Sequence, residues 1–205
     1  MIILLLTHCN RLNEICQNEI QIVAPENLSP IINLNYNQNQ ESLIKEVESY
    51  FKHNLCSKEV EIGIQLANKR IIKTIFHKDR IISRSSEVII LMNQEGEVLI
   101  NGKNYIKQLD SLAIWISRNF PNDENNDTEE IIFEWDEESP KEKIELGFTK
   151  IVEGYLKSYE NISKTKYFKP FCELSEFEVN EILKEHEFRI KLGFGQIKII
   201  PPPIN

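Results

Sequence analysis

The sequence predicts an α+β protein: small mixed sheets with helices packed on one face, arranged as two strand-helix-strand units and followed by a C-terminal helical extension. Three patterns lead there. "EVEIGIQL" and "EVIILM" read as strands, "ESLIKEVESYFKHN" and "IKQLDSLAIWISRNF" repeat apolar residues at helical spacing, and one long apolar stripe runs from Ile144 to Ile162. At 205 residues and 41% apolar, the chain holds one ordinary domain or two small ones.

Four segments follow from the order of these patterns. Residues 1–27 are an apolar stub and connector, 28–86 the first strand-helix-strand unit, 87–192 a second block with two closing helices, and 193–205 a tail whose Pro201-Pro202-Pro203 keeps it extended. In the first unit, Ser29–Tyr36 reads as a strand, and Leu43, Val47, Tyr50, Phe51 and Asn54 fall on one helix face. Val60, Ile62, Ile64 and Leu66 then alternate with polar residues as a half-buried strand does.

The second block opens with strands through Val88–Met92 and Glu97–Ile100. Gly96 supplies the positive φ of a tight hairpin, and Asn101-Gly102 a second turn. A helix through Leu109, Leu112, Ile116 and Phe120 precedes the strand "EEIIFEW". The two units overlay at a shift of 69, Val47 on Ile116 and Phe51 on Phe120, a match that any two amphipathic helices behind strands would show.

Ser139, Pro140 and Glu142 form a helix-start signature, after which Ile144, Phe148, Ile151, Val152, Tyr155, Tyr159 and Ile162 make a stripe of about five turns. Ser175 and Glu178 form a second capping box before a helix carrying Phe177, Val179 and Ile182.

The net charge of −8 lies wholly beyond residue 87, where 14 Lys and Arg face 22 Asp and Glu. Such a surface repels nucleic acid. Nine acidic residues fall between Asp123 and Glu138, without the ligand order of a calcium loop. The adjacent Glu137 and Glu138 suit the positive end of the following helix better than a glycosidase pair.

No phosphate-cradling, metalloprotease or nucleophile-elbow motif is present, and His8, His53, His77 and His186 are dispersed, so no catalytic residue, cofactor or small-molecule substrate is expected. Cys9, Cys16, Cys56 and Cys172 lack tight ligand spacing and are too sparse for a disulfide framework. Scattered core thiols are the expectation, ahead of metal sites at His8/Cys9 or His53/Cys56. Tyr155, Tyr159, Phe168 and Phe171 read as core, or as a surface for a protein partner.

From about residue 87 onward, "EVIILMNQEGEVLINGKNYIKQLDSLAIWI" and "FTKIVEGYLKSYENISKTKYFKPFCELSEFEVNEI" resemble the periplasmic part of the ExbD/TolR family of biopolymer transport proteins, in its elongated Bacteroidetes-like form. Phe168, Pro170, Phe171 and Leu174 stand in the places of that form's turn before its final helix. The resemblance covers a little over half the chain and rests on fold signatures.

It implies a non-enzymatic component of a proton-motive-force-coupled Ton-type system at the periplasmic face of the inner membrane. It also implies a homodimer working by contact with an ExbB-like channel and a TonB-like transducer. The sequence departs from the family at the membrane helix with its proton-sensitive Asp. "MIILLL" is six residues against the roughly 20 of a spanning helix, and is expected to be a buried first strand or the remnant of a longer segment. Residues 28–86 have no counterpart, and Asp136 matches the family's Asp before its last strand-to-helix step only loosely. The rival classes are a free-standing acidic interaction or immunity-like protein, docking through Asp123 to Glu138, and a hydrolase assembled from the dispersed His and carboxylates.

Overall fold

The structure, a computed structural model, describes residues 16–24, 31–33, 40–51, 59–66, 69–77, 87–120 and 130–192. His8, Cys9, Tyr36, His53, Asn54, Cys56, the loop 121–129, the tail 193–205 and the side chains of Leu43 and His77 lie outside the described residues.

The described elements are α1 (Gln17–Val23), β1 (Ile31–Ile32), α2 (Gln40–Tyr50), β2 (Glu59–Gln65), β3 (Ile71–His77), β4 (Glu87–Met92), β5 (Val98–Ile100), β6 (Asn104–Ile106), α3 (Asp110–Asn119), β7 (Glu130–Trp135), α4 (Lys141–Lys166), a 3-10 turn (Phe171–Glu173), α5 (Glu176–Glu185) and β8 (Ile190–Leu192). The class is α+β with a C-terminal helical extension. The strands of both sequence units lie in one mixed sheet of eight, ordered β1-β2-β3-β8-β7-β4-β5-β6.

The last strand holds the centre. β8 pairs in parallel with β3 on one side and with β7 on the other, so it joins the two units. The parallel run β4, β7, β8 is built by two crossovers that step the same way, through α3 and then through α4 and α5. Right-handed crossovers stepping one way leave their helices on one face. α3 and α4 accordingly pack together. The β1-to-β2 crossover steps the other way on strands that run the other way, and the two reversals cancel, so the same rule puts α2 on that face.

Alternation along the strands supplies the other half of the core. Ile62, Ile64, Ile72, Phe76, Ile190, Leu192, Ile131, Phe133, Ile90, Met92, Val98 and Ile100 occupy one face and are all buried. Thr74 shares that face, its hydroxyl donating to the Ile62 carbonyl at 3.4 Å. One apolar cluster runs from Ile32 and Val47 through to Ile116 and Phe148.

The turns are as the glycines predict. Gly96 takes φ +78°, while Asn101 and Gly102 take +50° and +67°, the paired positive values of a type I′ hairpin between β5 and β6. In the 69-residue overlay, α2 falls on α3 and Val47 and Ile116 are both fully buried. The strands differ, because β2 pairs with β1 whereas β7 pairs with β4, across the inserted hairpin.

α4 buries the expected stripe, with Ile162 half-buried at its margin. Its start departs from expectation: Pro140 is the N-cap, without a side-chain cap bond, and the buried Ser139 hydroxyl has no hydrogen-bond partner among the described residues. Ser139 instead closes a backbone turn onto the Asp136 carbonyl at 2.9 Å, which rotates it out of the capping position. Two aromatics of α2 and α5 stay in solvent, Tyr50 against the expectation for the α2 face and Phe177 off the face that Val179 and Ile182 share. Phe177 and Tyr50 are 77% and 49% exposed.

α4 lies close on its neighbours because two of its positions lack side chains. A Cβ on Gly147 would stand 2.6 Å from the Phe133 ring, and one on Gly154 would stand 2.6 Å from Ile116 Cβ and 3.1 Å from the Ala113 carbonyl. Alanine is the better helix former by about 1 kcal/mol, but overpacking against a β-branched residue and backbone costs about 1–3 kcal/mol. Gly154→Ala is therefore expected to lower stability by about 1–2 kcal/mol in urea unfolding; an equal or higher midpoint would mean that α3 and α4 separate freely.

Candidate interaction site

The aromatic residues singled out in the sequence gather where α4 ends. Tyr155, Tyr159 and Phe171 are 3%, 1% and 2% exposed, so the core reading holds for these three. Tyr159 stacks on Phe171 with ring centroids 5.7 Å apart, and Tyr155 meets Phe188 edge-on at 4.8 Å. The stripe therefore faces its own chain. The Tyr159 hydroxyl donates to the His186 carbonyl at 2.8 Å and the Tyr155 hydroxyl to the Arg189 carbonyl at 3.3 Å, which ties α4 to the entry of β8. Burial pushes the Tyr159 phenol well above its ordinary range, so it stays a donor.

Phe168 has the opposite fate. It is 89% exposed and sits at φ +58°, a left-handed conformation that a bulky side chain adopts at a cost of about 1 kcal/mol or more. The turn around it is braced on every side. The Ser163 hydroxyl donates to the Lys169 carbonyl at 2.6 Å, and the Phe171 amide donates to Glu160 Oε2 at 2.8 Å. Lys166 reaches Glu181 at 2.9 Å and Glu185 at 3.0 Å, and its ammonium also stands 5.6 Å from the Tyr167 ring centroid. Glu181 first, then Glu185, holds the Lys166 ammonium well above its ordinary range.

α5 begins in the predicted capping box. The Glu178 amide donates to Ser175 Oγ at 3.4 Å, and the Ser175 amide donates to Glu178 Oε2 at 2.8 Å. Lys169 lies 2.9 Å from the same carboxylate. This ion pair links the residue after Phe168 to the residue after Phe177. The two exposed phenylalanines thus flank one fixed polar contact.

Behind the turn stands α1. Cys16 and Cys172 are joined in a disulfide across 156 residues, which corrects the expectation of scattered thiols for these two. The topology explains it: α1 packs on the 3-10 turn and on β3. Asn18 Nδ2 donates to the Phe171 and Leu174 carbonyls at 2.9 and 3.1 Å. Among the described residues, Cys16, Glu19 and Cys172 also group their donor atoms within 4.8 Å of one another.

Across the opposite face of the sheet runs an ionic seam that sequence reasoning missed. Lys191, 8% exposed, is paired with Glu130 and lies 3.7 Å from Glu87; Arg189 Nε lies 2.6 Å from Glu130 Oε1, and Lys73 reaches Glu187 and Glu61 at 3.8 and 3.5 Å. Sequence alternation carried a usable signal here, since Glu187, Arg189 and Lys191 share one face of β8 and its approach. His186 stands at the C-cap of α5.

Comparison with protein-family models, with curated proteins and with solved structures found no match to this chain.

Two outcomes are expected. Removing the cross-link by Cys172→Ser lowers stability by about 3–5 kcal/mol in reversible denaturation, because the closed loop is long. Glu178 is held down at about 2 by the Ser175 amide first and by Lys169 next, against an ordinary value of 4.5. Its contribution is thus complete above pH 4.5 and disappears as pH falls toward about 2. The stability gap between wild type and Glu178→Gln, followed by thermal melts across that window, should close on acidification; a gap that stays constant would show that the carboxylate charge is not what matters.

Proposed function

We propose that the protein works by protein contact in the cell envelope, as a non-enzymatic component of a Ton-type, proton-motive-force-coupled system, in the manner implied by its resemblance to the periplasmic domain of ExbD. One observation carries the contact reading. A braced corner displays Phe168 in a strained backbone and Phe177 at the start of α5, both exposed, where burial inside the chain would ordinarily place large aromatics. Exposed aromatics fixed on a rigid support lose little entropy when a partner covers them, the condition for an interface anchor.

The Cys16–Cys172 disulfide supports the envelope placement, since such bonds persist in oxidising compartments. No described helix is long and apolar enough to cross a membrane. The contact proposed with an ExbB-like channel or a TonB-like transducer is made by the exposed corner at Phe168 and Phe177. Homodimerisation belongs to the same proposal, through a face other than the buried α4 stripe.

Phe168→Gly separates the two roles of this residue. Relief of the left-handed strain raises stability by about 1 kcal/mol, while a photo-crosslinking residue at position 177 captures an ExbB- or TonB-like protein from envelope fractions in the wild-type background and loses it in the glycine variant. Capture unchanged by Phe168→Gly, or a Cys16–Cys172 pair found reduced in cells, would overturn this reading.

A further inference from the structure

We infer that the Cys16–Cys172 pair, when reduced, becomes a binding site for one soft divalent cation, Zn²⁺ being the probe of choice, with Glu19 as its third protein ligand. The inference does not depend on the partner reading above.

Four observations meet at this point. The Cα atoms of the two cysteines are 5.8 Å apart, and the two sulfurs and the Glu19 carboxylate lie within 4.8 Å of one another. Ligands of a tetrahedral zinc at Zn–S of about 2.3 Å stand about 3.8 Å apart, so opening the S–S bond lets the sulfurs reach that spacing by side-chain rotation alone. The elements that carry them are fastened by other means, because Asn18 Nδ2 donates to both the Phe171 and the Leu174 carbonyls. Glu19 is oriented already, its Oε2 accepting from the Cys16 amide at 3.0 Å. Cys172 is exposed while Cys16 and Glu19 are half-buried, which gives a site with three protein ligands and one position left to water.

The chemistry balances with a dithiol reductant. One of its thiolates attacks the accessible Cys172 sulfur, breaking the S–S bond and releasing the Cys16 thiolate. Its second thiol then closes the reductant's own disulfide and releases the Cys172 thiolate, so two electrons pass to the protein. Zn²⁺ binds the two thiolates and displaces any protons they carry.

The test uses the full chain with Cys9→Ser and Cys56→Ser, reduced and freed of reductant, and Zn²⁺ alone as ligand. The expected result is one Zn²⁺ per chain by competition with a chromogenic chelator, with both remaining thiols protected from alkylation. No binding is expected in the oxidised chain or in Cys172→Ser, and a loss of at least about tenfold in affinity in Glu19→Gln and in Asn18→Ala. Asn18 offers no ligand, so its effect reads the positioning of α1 and not coordination. Equal binding in Cys172→Ser, thiols alkylated at one rate with and without Zn²⁺, or a reduced chain whose α1 amides exchange freely with solvent would each overturn the inference.

Discussion

Everything in this fold depends on how β8, three residues long, is held in the middle of the sheet. Its backbone pairs with β3 and β7, and its approach is fixed by the hydroxyls of Tyr159 and Tyr155 on the carbonyls of His186 and Arg189. On the helix side, Phe188, Ile190 and Leu192 are buried beneath α4 and its neighbours. On the other side, Arg189 and Lys191 meet Glu130 and Glu87. A buried ion pair adds little net stability after desolvation, but breaking one leaves a charge stranded in the interior. Here it sets register. A slip of β8 by one residue would drive Lys191 into the apolar core and Ile190 into the carboxylates.

That dependence also explains what the sequence disclosed and what it concealed. The α4 stripe, the Ser175 capping box, the Gly96 turn and the Asn101-Gly102 turn were all legible, since each is a local pattern whose physical cause lies within a few residues. β8 was not, because three residues with a lysine at their centre, at the end of the 87–192 block, carry too short an alternation to mark a strand until the sheet that buries them is known. β3 was missed for a related reason: "IIKTIFH" fills both faces of a sheet whose second face is ionic, which blurs the alternation. The Cys16–Cys172 pairing was beyond sequence altogether, as four cysteines leave the choice of partner open. Phe177 illustrates the converse error. It sits two residues before Val179 and five before Ile182, about 200° and 140° around the helix from them, so the turn of α5 that buries those two leaves it in water.

The candidate site shows the same division. Four aromatics formed one group on the page of the sequence, and the chain separates them by where α4 ends. Tyr155, Tyr159 and Phe171 serve the link between α4, the 3-10 turn and β8, while Phe168 takes no part in it. Burial of the first three is therefore a statement about the fold, and exposure of the fourth a statement about what the fold presents.

Why the extension exists follows from lengths. α4 has 26 residues and spans about 39 Å, whereas β7, with six residues, spans about 20 Å. Half of the helix has no sheet beneath it, and its apolar stripe continues through Tyr155 and Tyr159 into that half. Something must cover it. The chain uses its own later segments: the 3-10 turn brings Phe171 against Tyr159, α5 supplies Val179 and Ile182, and α1 closes the far side through Asn18 and Cys16. α5 then returns the chain to the sheet to deliver β8. A helix long enough only to cross the sheet would need none of this corner, and without the corner no rigid support would hold Phe168 and Phe177 in solvent. The overhang of α4 is thus the structural origin of both the central strand's return path and the surface proposed for partner contact.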